Sequence, residues 1–420
     1  MPRSFLLTAS FILCWAISPD VLVLLGNGFG RHGWAFGIAL LAGAALSAAA
    51  ALIIRRPTAA SRENDRGLPD TEAGRFAEVT LTLAGRLSPP LFFSTGMLVT
   101  AGFTFNETFV YWFPNFGFSF LLLLLVLILY LSGERVVLAA QQVFFGLTAS
   151  CLLLLALAGL LAGPPQNTGP AAPAGTAKDI LATVPLAMLF FLGYDQQLPK
   201  DKVGKNRFYP GAVGLGFLLL VLWGLASLSH IPHARLAESS VPYVVAAREI
   251  LGQTGRILMG IAIISGTCGA VNGLFYLAIG TVRQLIPKIA PSTWLPRIHA
   301  VLMAAVIALL LALGLAGSEN LEVFVFGSLL LWQLAIGANC LFSAVHLRRQ
   351  RAKHSSSGYA IGGLILAAVA YLAFTYPQPR LLFGFCVPVL AAGGLFSTAL
   401  HRLGGRRSPA SNNIHPHKGG

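Results

Sequence analysis

Two stretches of the sequence place a carboxylate inside an apolar run, beside residues that interrupt a helix. SFLLTASFILCWAISPDVLVLLG contains Ser18-Pro19-Asp20, and FFLGYDQQLPKD contains Gly193-Tyr194-Asp195. Proline removes a backbone donor and clashes with the preceding turn, so a helix should break at Pro19. Ser18 can cap a second half-helix whose first position suits proline. A carboxylate in apolar surroundings takes up a proton or attracts a cation, so the predicted chemistry is cation or proton binding.

The composition indicates what surrounds these acids. The chain of 420 residues is 55% hydrophobic and 10% charged, with a mean hydropathy of +0.73. A soluble protein would carry about a quarter charged residues. Apolar runs of about twenty residues recur along the chain, which indicates transmembrane helices. Residues 3–17 resemble a signal peptide, but no small-residue cleavage site follows before Pro19, so we expect a first transmembrane helix there.

The pattern predicts an all-α polytopic membrane protein with twelve spans. With the N-terminus in the cytoplasm, the loops place 23 Lys and Arg residues inside and 6 outside, which supports both the count and the orientation. The inside set includes Arg86, in the long loop 55–89, where residues 70–87 are predicted to form an interfacial helix. The apolar stretch of the eighth span is long, and we expect a separate short helix at 242–252 to begin it. The predicted spans are 4–26, 33–54, 90–113, 116–132, 136–162, 180–199, 209–229, 254–284, 298–316, 322–346, 358–376 and 381–402.

The two interruptions lie at equal depth in spans of opposite direction. Asp20 follows Phe5 by 15 positions, and Asp195 follows Ile180 by the same number. Paired broken helices of opposite direction predict inverted repeats, with a substrate and ion site near the midplane. We therefore expect a membrane domain over 1–403 and a disordered cytoplasmic tail over 404–420. Within the domain we expect a first repeat over 4–162, a second over 180–346 and added helices over 358–402.

The chain resembles permeases of the amino acid–polyamine–organocation (APC) superfamily in three motifs. AISPDVLVLLG stands where those permeases have a glycine-rich break, FFLGYDQQLPKD matches their sixth-helix break, and IISGTCGAVNGLFYLAIGTVRQL matches their eighth helix. The resemblance implies a leucine-transporter-type five-plus-five inverted repeat with two extra C-terminal helices. It also implies a secondary active transporter that moves amino acids or related amines by alternating access. Pro19-Asp20 departs from the usual paired glycines, and a charged Asp20 would repel a substrate carboxylate bound there. Three alternatives follow: Asp20 points away, it is protonated, or the substrate is not an ordinary amino acid.

The predicted site combines both breaks with hydroxyls of the eighth span. Asp20, Asp195 and Glu107 are the intramembrane acids, and no Lys or Arg falls near the middle of a span to pair with them. Glu107 is either a guard of the outer vestibule or a solvated residue. The predicted substrate-binding residues are Ser18, Pro19, Asp20, Phe191, Gly193, Tyr194 and Asp195. The predicted ion-coupling residues are Asp20, Asp195, Ser265 and Thr267, where packing of the two hydroxyls is the alternative.

Several other functions are not favoured by the sequence. No GxxxxGK[ST] motif and no nucleophile–base pair is present, so we expect no enzyme and no cofactor beyond a coupling Na⁺ or H⁺. The net charge of +14 comes from short loops rather than from a nucleic-acid surface, and no cysteine pair has CxxC spacing. GNGFG at 26–30 lacks dinucleotide-loop spacing and is predicted to be a turn between the first two spans.

The expected partners are a small amino acid or amine and the lipid bilayer of the inner (plasma) membrane, with both termini cytoplasmic. The oligomeric state stays open. The alternatives are a polyamine- or ethanolamine-type carrier, or a sensor of the same fold that binds its ligand without moving it.

Overall fold

The protein is helical throughout the part of the chain that the structure describes. This computed structural model describes residues 3–60, 72–163, 176–195, 208–285, 294–314, 319–349 and 355–405. The helices in those ranges are α1 (Arg3–Ala16), α2 (Pro19–His32), α3 (Trp34–Ala60), α4 (Glu72–Thr108), α5 (Asn115–Ser132), α6 (Glu134–Ala162), α7 (Ala177–Leu189), α8 (Phe208–His230), α9 (His233–Glu238), α10 (Pro242–Leu285), α11 (Leu295–Ala312), α12 (Glu319–Arg349), α13 (Ser355–Thr375) and α14 (Pro379–Gly405).

Most of these helices are long and apolar enough to cross a membrane. Within the described ranges nine helices qualify by length and composition, and the bent pair α1 and α2 brings the number to ten. The third and sixth predicted spans correspond to α4 and α7, which do not qualify, α7 having only 13 residues. A polytopic helical membrane protein is therefore confirmed, and the count of twelve stays a prediction.

The first interruption has the predicted capping geometry. α1 ends at Ala16, α2 begins at Pro19, and their axes differ by 62°. Ser18 is the N-cap of α2, and its hydroxyl accepts a hydrogen bond from the Val21 N–H. Pro19 occupies the first turn of α2, where its missing N–H leaves no helical bond unmade. The break between two half-helices is confirmed.

The glycines at 26–30 are helical, so the predicted turn is wrong. They belong to α2, which continues to His32 and ends at Gly33, where φ is +57°. A Cβ on Gly26 would lie 2.6 Å from the Pro242 side chain, and a Cβ on Gly30 would lie 2.4 Å from the Ala237 backbone nitrogen. These glycines therefore allow neighbouring segments to approach α2 closely, while the backbone hydrogen bonds of α2 remain intact.

Two long helices replace elements that the sequence separated. α4 runs unbroken from Glu72 to Thr108 through Pro89 and Pro90, so the predicted interfacial segment 70–87 joins the third span from residue 72 onward. α10 contains non-helical backbone at Leu251 and Gly252, where φ of the glycine is +59°. The predicted short helix at 242–252 is thereby confirmed as the first part of α10.

The second interruption begins where α7 ends. A capping box between Thr176 and Asp179 starts α7, and the hydrogen bonds from Thr176 hold the pKa of Asp179 below its usual range. The helix stops after Leu189, and residues 190–195 form turns in which Gly193 has a φ of +94°. A break near Gly193 is confirmed. Residues 196–199 of the predicted sixth span and the outer loop from residue 164 to 175 lie outside the described residues. Of the predicted tail over 404–420, residues 404 and 405 belong to α14, and the rest lies outside the described residues.

Burial separates central from peripheral helices. The most apolar windows of α10 and α12 are 78% and 72% buried, whereas those of α5, α11 and α13 are each 28% buried. α10 packs on α4 and α6, and α12 packs on α4 and α13. The exposed apolar faces of α5 and α11 are therefore the surfaces suited to contact lipid.

A buried amide network ties the first half-helix to α6 and α10. The Gln141 side chain donates from Nε2 to the Ser10 carbonyl over 2.8 Å and accepts from Asn272 Nδ2 over 2.7 Å. Tyr130 donates to the Asn272 carbonyl over 2.7 Å. Such bonds fix helix positions because bilayer hydrocarbon offers no competing partners.

Candidate functional site

The two interruptions lie side by side and are bonded to each other. The Trp15 indole, in the last turn of α1, donates to the carbonyl of Leu189 at the end of α7 over 2.8 Å. The Trp15 ring lies 3.9 Å from the ring of Phe93 and 6.3 Å from that of Trp332, between ring centroids. Aromatic side chains from α1, α4 and α12 therefore enclose the junction of the breaks.

Asp195 has a basic partner, so the prediction that the intramembrane acids lack one is wrong here. Arg86 Nε lies 3.0 Å from Asp195 Oδ2, and an Arg86 terminal nitrogen donates to the Asp195 carbonyl over 3.3 Å. Trp332 Nε1 donates to Asp195 Oδ1 over 3.1 Å. The side chains of Arg86 and Asp195 are 6% and 0% exposed. Both carboxylate oxygens are thus satisfied within the protein.

Arg86 is also misplaced by the loop count. The sequence assigns it to a cytoplasmic connection, whereas the structure buries it within α4. Its helical neighbours Leu83 and Ala84 are buried as well. The apolar residues around Arg86 in TLTLAGRLSPPLFF were the signal that could have identified a buried arginine.

Asp20 stands in a different environment from Asp195. Oδ1 lies 3.2 Å from the Thr100 hydroxyl. Oδ2 is inaccessible and has no hydrogen-bond partner among the described residues. A Cβ on Gly96 would approach Oδ2 to 3.7 Å, so the missing side chain of that glycine leaves room beside the carboxylate. No basic side chain of the described ranges forms an ion pair with Asp20.

The Thr100 hydroxyl constrains the protonation of Asp20. It lies 3.1 Å from the Gly96 carbonyl and 3.2 Å from Asp20 Oδ1, but it has only one proton to donate. A protonated Asp20 would donate to the Thr100 oxygen, while Thr100 donates to Gly96. This arrangement bonds Asp20 Oδ1 and the Gly96 carbonyl at the same time, whereas beside a charged Asp20 the single Thr100 proton can serve only one of these two acceptors.

A row of hydroxyls on α4 leads from Asp20 toward the predicted outer end of the helix. Thr104 follows Thr100 by one turn and lies 3.3 Å from the Tyr243 hydroxyl. Glu107, three residues further on, is exposed. The structure therefore places Glu107 at the surface, and whether it guards a vestibule stays a prediction.

The remaining substrate-binding candidates are buried around the breaks. Ser18 and Tyr194 are fully buried, and Phe191 is 1% exposed. Pro19 is buried, and Gly193 supplies the positive φ that the turn requires. These residues are buried beside the two breaks, and their contact with a substrate stays a prediction.

The eighth-span hydroxyls are buried close to the first break. Ser265 Oγ lies 2.7 Å from Thr148 Oγ1 and donates to the Ile261 carbonyl over 2.7 Å. Thr267 Oγ1 has no hydrogen-bond partner among the described residues. A Cβ on Gly266 would lie 3.0 Å from the Ile17 carbonyl, so α10 touches the broken backbone here. Ser265 and Thr267, the predicted sodium ligands, therefore lie on a helix that contacts the backbone of the first break, and their binding of sodium stays a prediction.

A metal site built from side chains is not found in the described ranges. No group of three or more His, Cys, Asp or Glu residues there could hold a metal ion. All five cysteines are free. Trp15, Arg86, Thr100 and Trp332 are the site residues that the predicted site did not include.

Known proteins resemble this chain in structure rather than in sequence. No protein-family model matches it, and no curated protein does. A mutant of the manganese transporter of Eremococcus coleocola superposes with a TM-score of 0.59 at 11% identity, over 96% of this chain and 95% of that one. The same transporter in complex with an aromatic bis-isothiourea substituted compound gives a TM-score of 0.57 at 11% identity and the same coverage. The chain has the leucine-transporter-type fold.

The predicted membership of the APC superfamily is wrong. The solved structures named above belong to the NRAMP family, a different transporter family that shares the leucine-transporter-type fold. The predicted fold type is therefore right, while the family inferred from the three motifs is not. The solved structures named above are transporters rather than enzymes, in agreement with the expectation that this chain is not an enzyme.

Proposed function

We propose that this protein is a secondary active transporter of amino acids or related small amines, with Asp20 as the contact for the substrate's ammonium group. The observation that carries the proposal is the inaccessible, unpartnered Oδ2 of Asp20 at a helix break. Intramembrane carboxylates are costly to bury and face cavities or pathways. An ammonium group satisfies such a carboxylate through a charge-assisted hydrogen bond.

Asp195 takes a different part in this proposal. Because Arg86 and Trp332 occupy its carboxylate, it holds the 190–195 turn in place rather than offering a free charge to the substrate. The backbone of that turn, with Phe191, Gly193 and Tyr194, then forms the wall opposite Ser18-Pro19-Asp20. A positioned wall and one free carboxylate suit a ligand with a single amine.

A divalent metal is the second candidate substrate, because the structural neighbours are manganese transporters. Hard divalent cations prefer several oxygen ligands, most of them carboxylates and carbonyls. The break offers one free carboxylate, and the described residues contain no metal-binding cluster. The donor set therefore favours a singly charged amine.

A proton is the favoured coupling ion. When Asp20 is protonated, it can donate to the Thr100 oxygen while Thr100 donates to the Gly96 carbonyl, and this possibility supports proton coupling. Sodium at Ser265 and Thr267 is the alternative, and the contact between Ser265 and Thr148 argues for packing instead. An amine that displaces the Asp20 proton would link substrate binding to proton release.

The finer architecture belongs to the same proposal. It comprises twelve spans, two inverted five-helix repeats over 4–162 and 180–346, and added helices over 358–402. Placing both termini on the cytoplasmic side of the inner (plasma) membrane follows from the loop charges. With this orientation α1 is the cytoplasmic half of the first span and α2 the outer half.

The test is uptake into proteoliposomes of a labelled panel of amino acids, ethanolamine, polyamines and Mn²⁺ under an imposed pH or sodium gradient. We expect the imposed pH gradient, rather than the sodium gradient, to drive accumulation of an amine. Asp20→Asn should lower uptake by about 10- to 100-fold, the loss of one charged hydrogen bond. Glu322→Gln, an equal charge change at an exposed acid of α12, serves as the matched control and should transport normally.

Three results would contradict the proposal in different ways. Accumulation of Mn²⁺ without any amine would refute the substrate class. Ligand binding without accumulation under either gradient would point to a sensor. Normal uptake by Asp20→Asn would refute the role of that carboxylate even if transport were confirmed.

A further inference from the structure

A second cavity lies away from the two breaks, at the end of the molecule that the loop charges place in the cytoplasm. It has a volume of about 220 Å³ and lies where α5 ends, α6 begins, α10 ends and α11 begins. Its polar lining includes Tyr130, Glu134, Tyr276, Arg283 and Arg297. Pockets for drug-sized ligands are larger, about 300–1,000 Å³. The cavity therefore suits a small group such as a phosphate.

Positive charge exceeds negative charge in this cavity. Arg283 is loosely paired with Glu134, at 3.8 Å between an Arg283 terminal nitrogen and a carboxylate oxygen. Arg283 Nε is inaccessible and has no hydrogen-bond partner in the described part of the chain. No carboxylate of the described residues pairs with Arg297, whose guanidinium lies 5.8 Å from the centre of the Trp294 ring. Two guanidinium groups facing one carboxylate leave donors available for an anion.

The buried side of the cavity is rigid. The Tyr130 hydroxyl already donates to the Asn272 carbonyl over 2.7 Å, and Tyr130 is 5% exposed. Asn272 is held in turn by Gln141. The arginines can therefore meet a ligand without the cavity first having to form, which lowers the entropic cost of binding.

The position of the cavity points to a lipid as the source of the anion. Trp294 is 66% exposed beside Arg297, and tryptophan is enriched at the level of lipid headgroups. The neighbouring surfaces of α5 and α11 carry exposed apolar side chains, including Ile128 and Leu131 on α5 and Ile298 on α11. A headgroup in the cavity would leave its acyl chains along these faces. A soluble anion would gain nothing from them.

We propose that this cavity binds the phosphate of an anionic phospholipid from the inner leaflet. Arginine suits phosphate because its planar guanidinium donates two parallel hydrogen bonds to the phosphate oxygens. Basic pockets between transmembrane helices on the cytoplasmic side bind lipid headgroups in this way. The site is separate from the breaks, so it does not depend on which substrate is transported.

The experiment is native mass spectrometry of the purified full chain in micelles containing phosphatidylglycerol or phosphatidylcholine. We expect phosphatidylglycerol to bind preferentially. Arg297→Gln and Arg283→Gln should each weaken its binding by about fivefold, the effect of one basic residue near a membrane surface. Glu134→Gln should strengthen it, because it removes the one carboxylate among the described residues that line the cavity. Arg256→Gln removes a half-buried arginine that does not line the cavity, so it is the matched control and should leave binding unchanged.

Each other result would overturn the proposal. Equal binding of both lipids would remove the requirement for net negative charge. Equal losses in Arg256→Gln and Arg297→Gln would show a diffuse surface effect. Weaker binding in Glu134→Gln would contradict the charge argument. Displacement of phosphatidylglycerol by inorganic phosphate would identify a soluble anion as the ligand. Arg297→Lys keeps the charge and separates loss of charge from loss of the guanidinium geometry, so it should retain part of the preference.

Discussion

Removing the carboxylate of Asp195 should destabilise the protein far more than removing an exposed partner in an ion pair of the same length. Asp195→Ala would leave the Arg86 guanidinium, only 6% exposed, without a counter-ion, and the Trp332 indole without its acceptor. Breaking a buried pair from one side costs about 3–5 kcal/mol. With an unfolding entropy of about 2.1 cal/mol/K per residue, the melting temperature of a chain of 420 residues should fall by about 3–6 °C.

The pair Arg235–Glu249 is the matched control. Its nitrogen–oxygen distance is also 3.0 Å, but the two side chains are 58% and 44% exposed. Arg235→Ala should therefore cost less than about 1 kcal/mol. The double variant Arg86→Met with Asp195→Asn removes both charges and keeps an acceptor for the Trp332 indole. We expect it to recover most of the lost stability, because no buried charge is left unpaired.

The assay is thermal unfolding of the detergent-solubilised protein at one fixed heating rate, followed by size-exclusion chromatography of a fluorescent fusion. The fixed rate matters because large proteins often unfold irreversibly. If Asp195→Ala melts within a degree of Arg235→Ala, or if the double variant is less stable than Asp195→Ala, Arg86 and Asp195 do not form the buried pair that the distances indicate.

Two further predictions concern packing. Gly30→Ala should strongly lower the yield of folded protein, because its Cβ would lie 2.4 Å from the backbone nitrogen of Ala237. The Cβ of Gly146→Ala meets no atom within 4 Å, so this control should raise stability by about 0.5–1 kcal/mol. The yield of folded protein after chromatography compares the two variants. Gln141→Leu should lower the free energy of unfolding by about 1–3 kcal/mol, because it leaves buried hydrogen-bonding groups of α1 and α10 without a partner. Gln142→Leu is the control and should change stability little. Equal melting temperatures of the two variants would contradict the buried amide network.

The sequence was sufficient where a local rule determines the backbone. Ser18 and Pro19 define the first break through capping and the missing N–H of proline, and both effects act within one turn. Gly193 similarly predicts the end of the second apolar run, because its positive φ cannot continue a helix.

The sequence was insufficient where partners come from distant segments. Arg86 and Asp195 are 109 positions apart, and Trp332 lies 137 positions beyond Asp195. The count of Lys and Arg residues in loops placed Arg86 in a solvent-exposed cytoplasmic loop, because that count considers only position along the chain and not burial. The glycines of GNGFG were misread for a related reason, since glycine permits both turns and close helix contacts, and only the neighbours decide between them.

The hydrogen bond from Trp15 to the Leu189 carbonyl couples the two breaks mechanically. The donor lies just before one break and the acceptor just before the other, so a rotation of α1 at its break either moves the end of α7 as well or loses a buried 2.8 Å bond. Losing it would strand a donor and an acceptor in apolar surroundings. A motion that moves both segments together keeps this bond and therefore costs less free energy. A displacement at Asp20 would then be coupled to a displacement at Asp195.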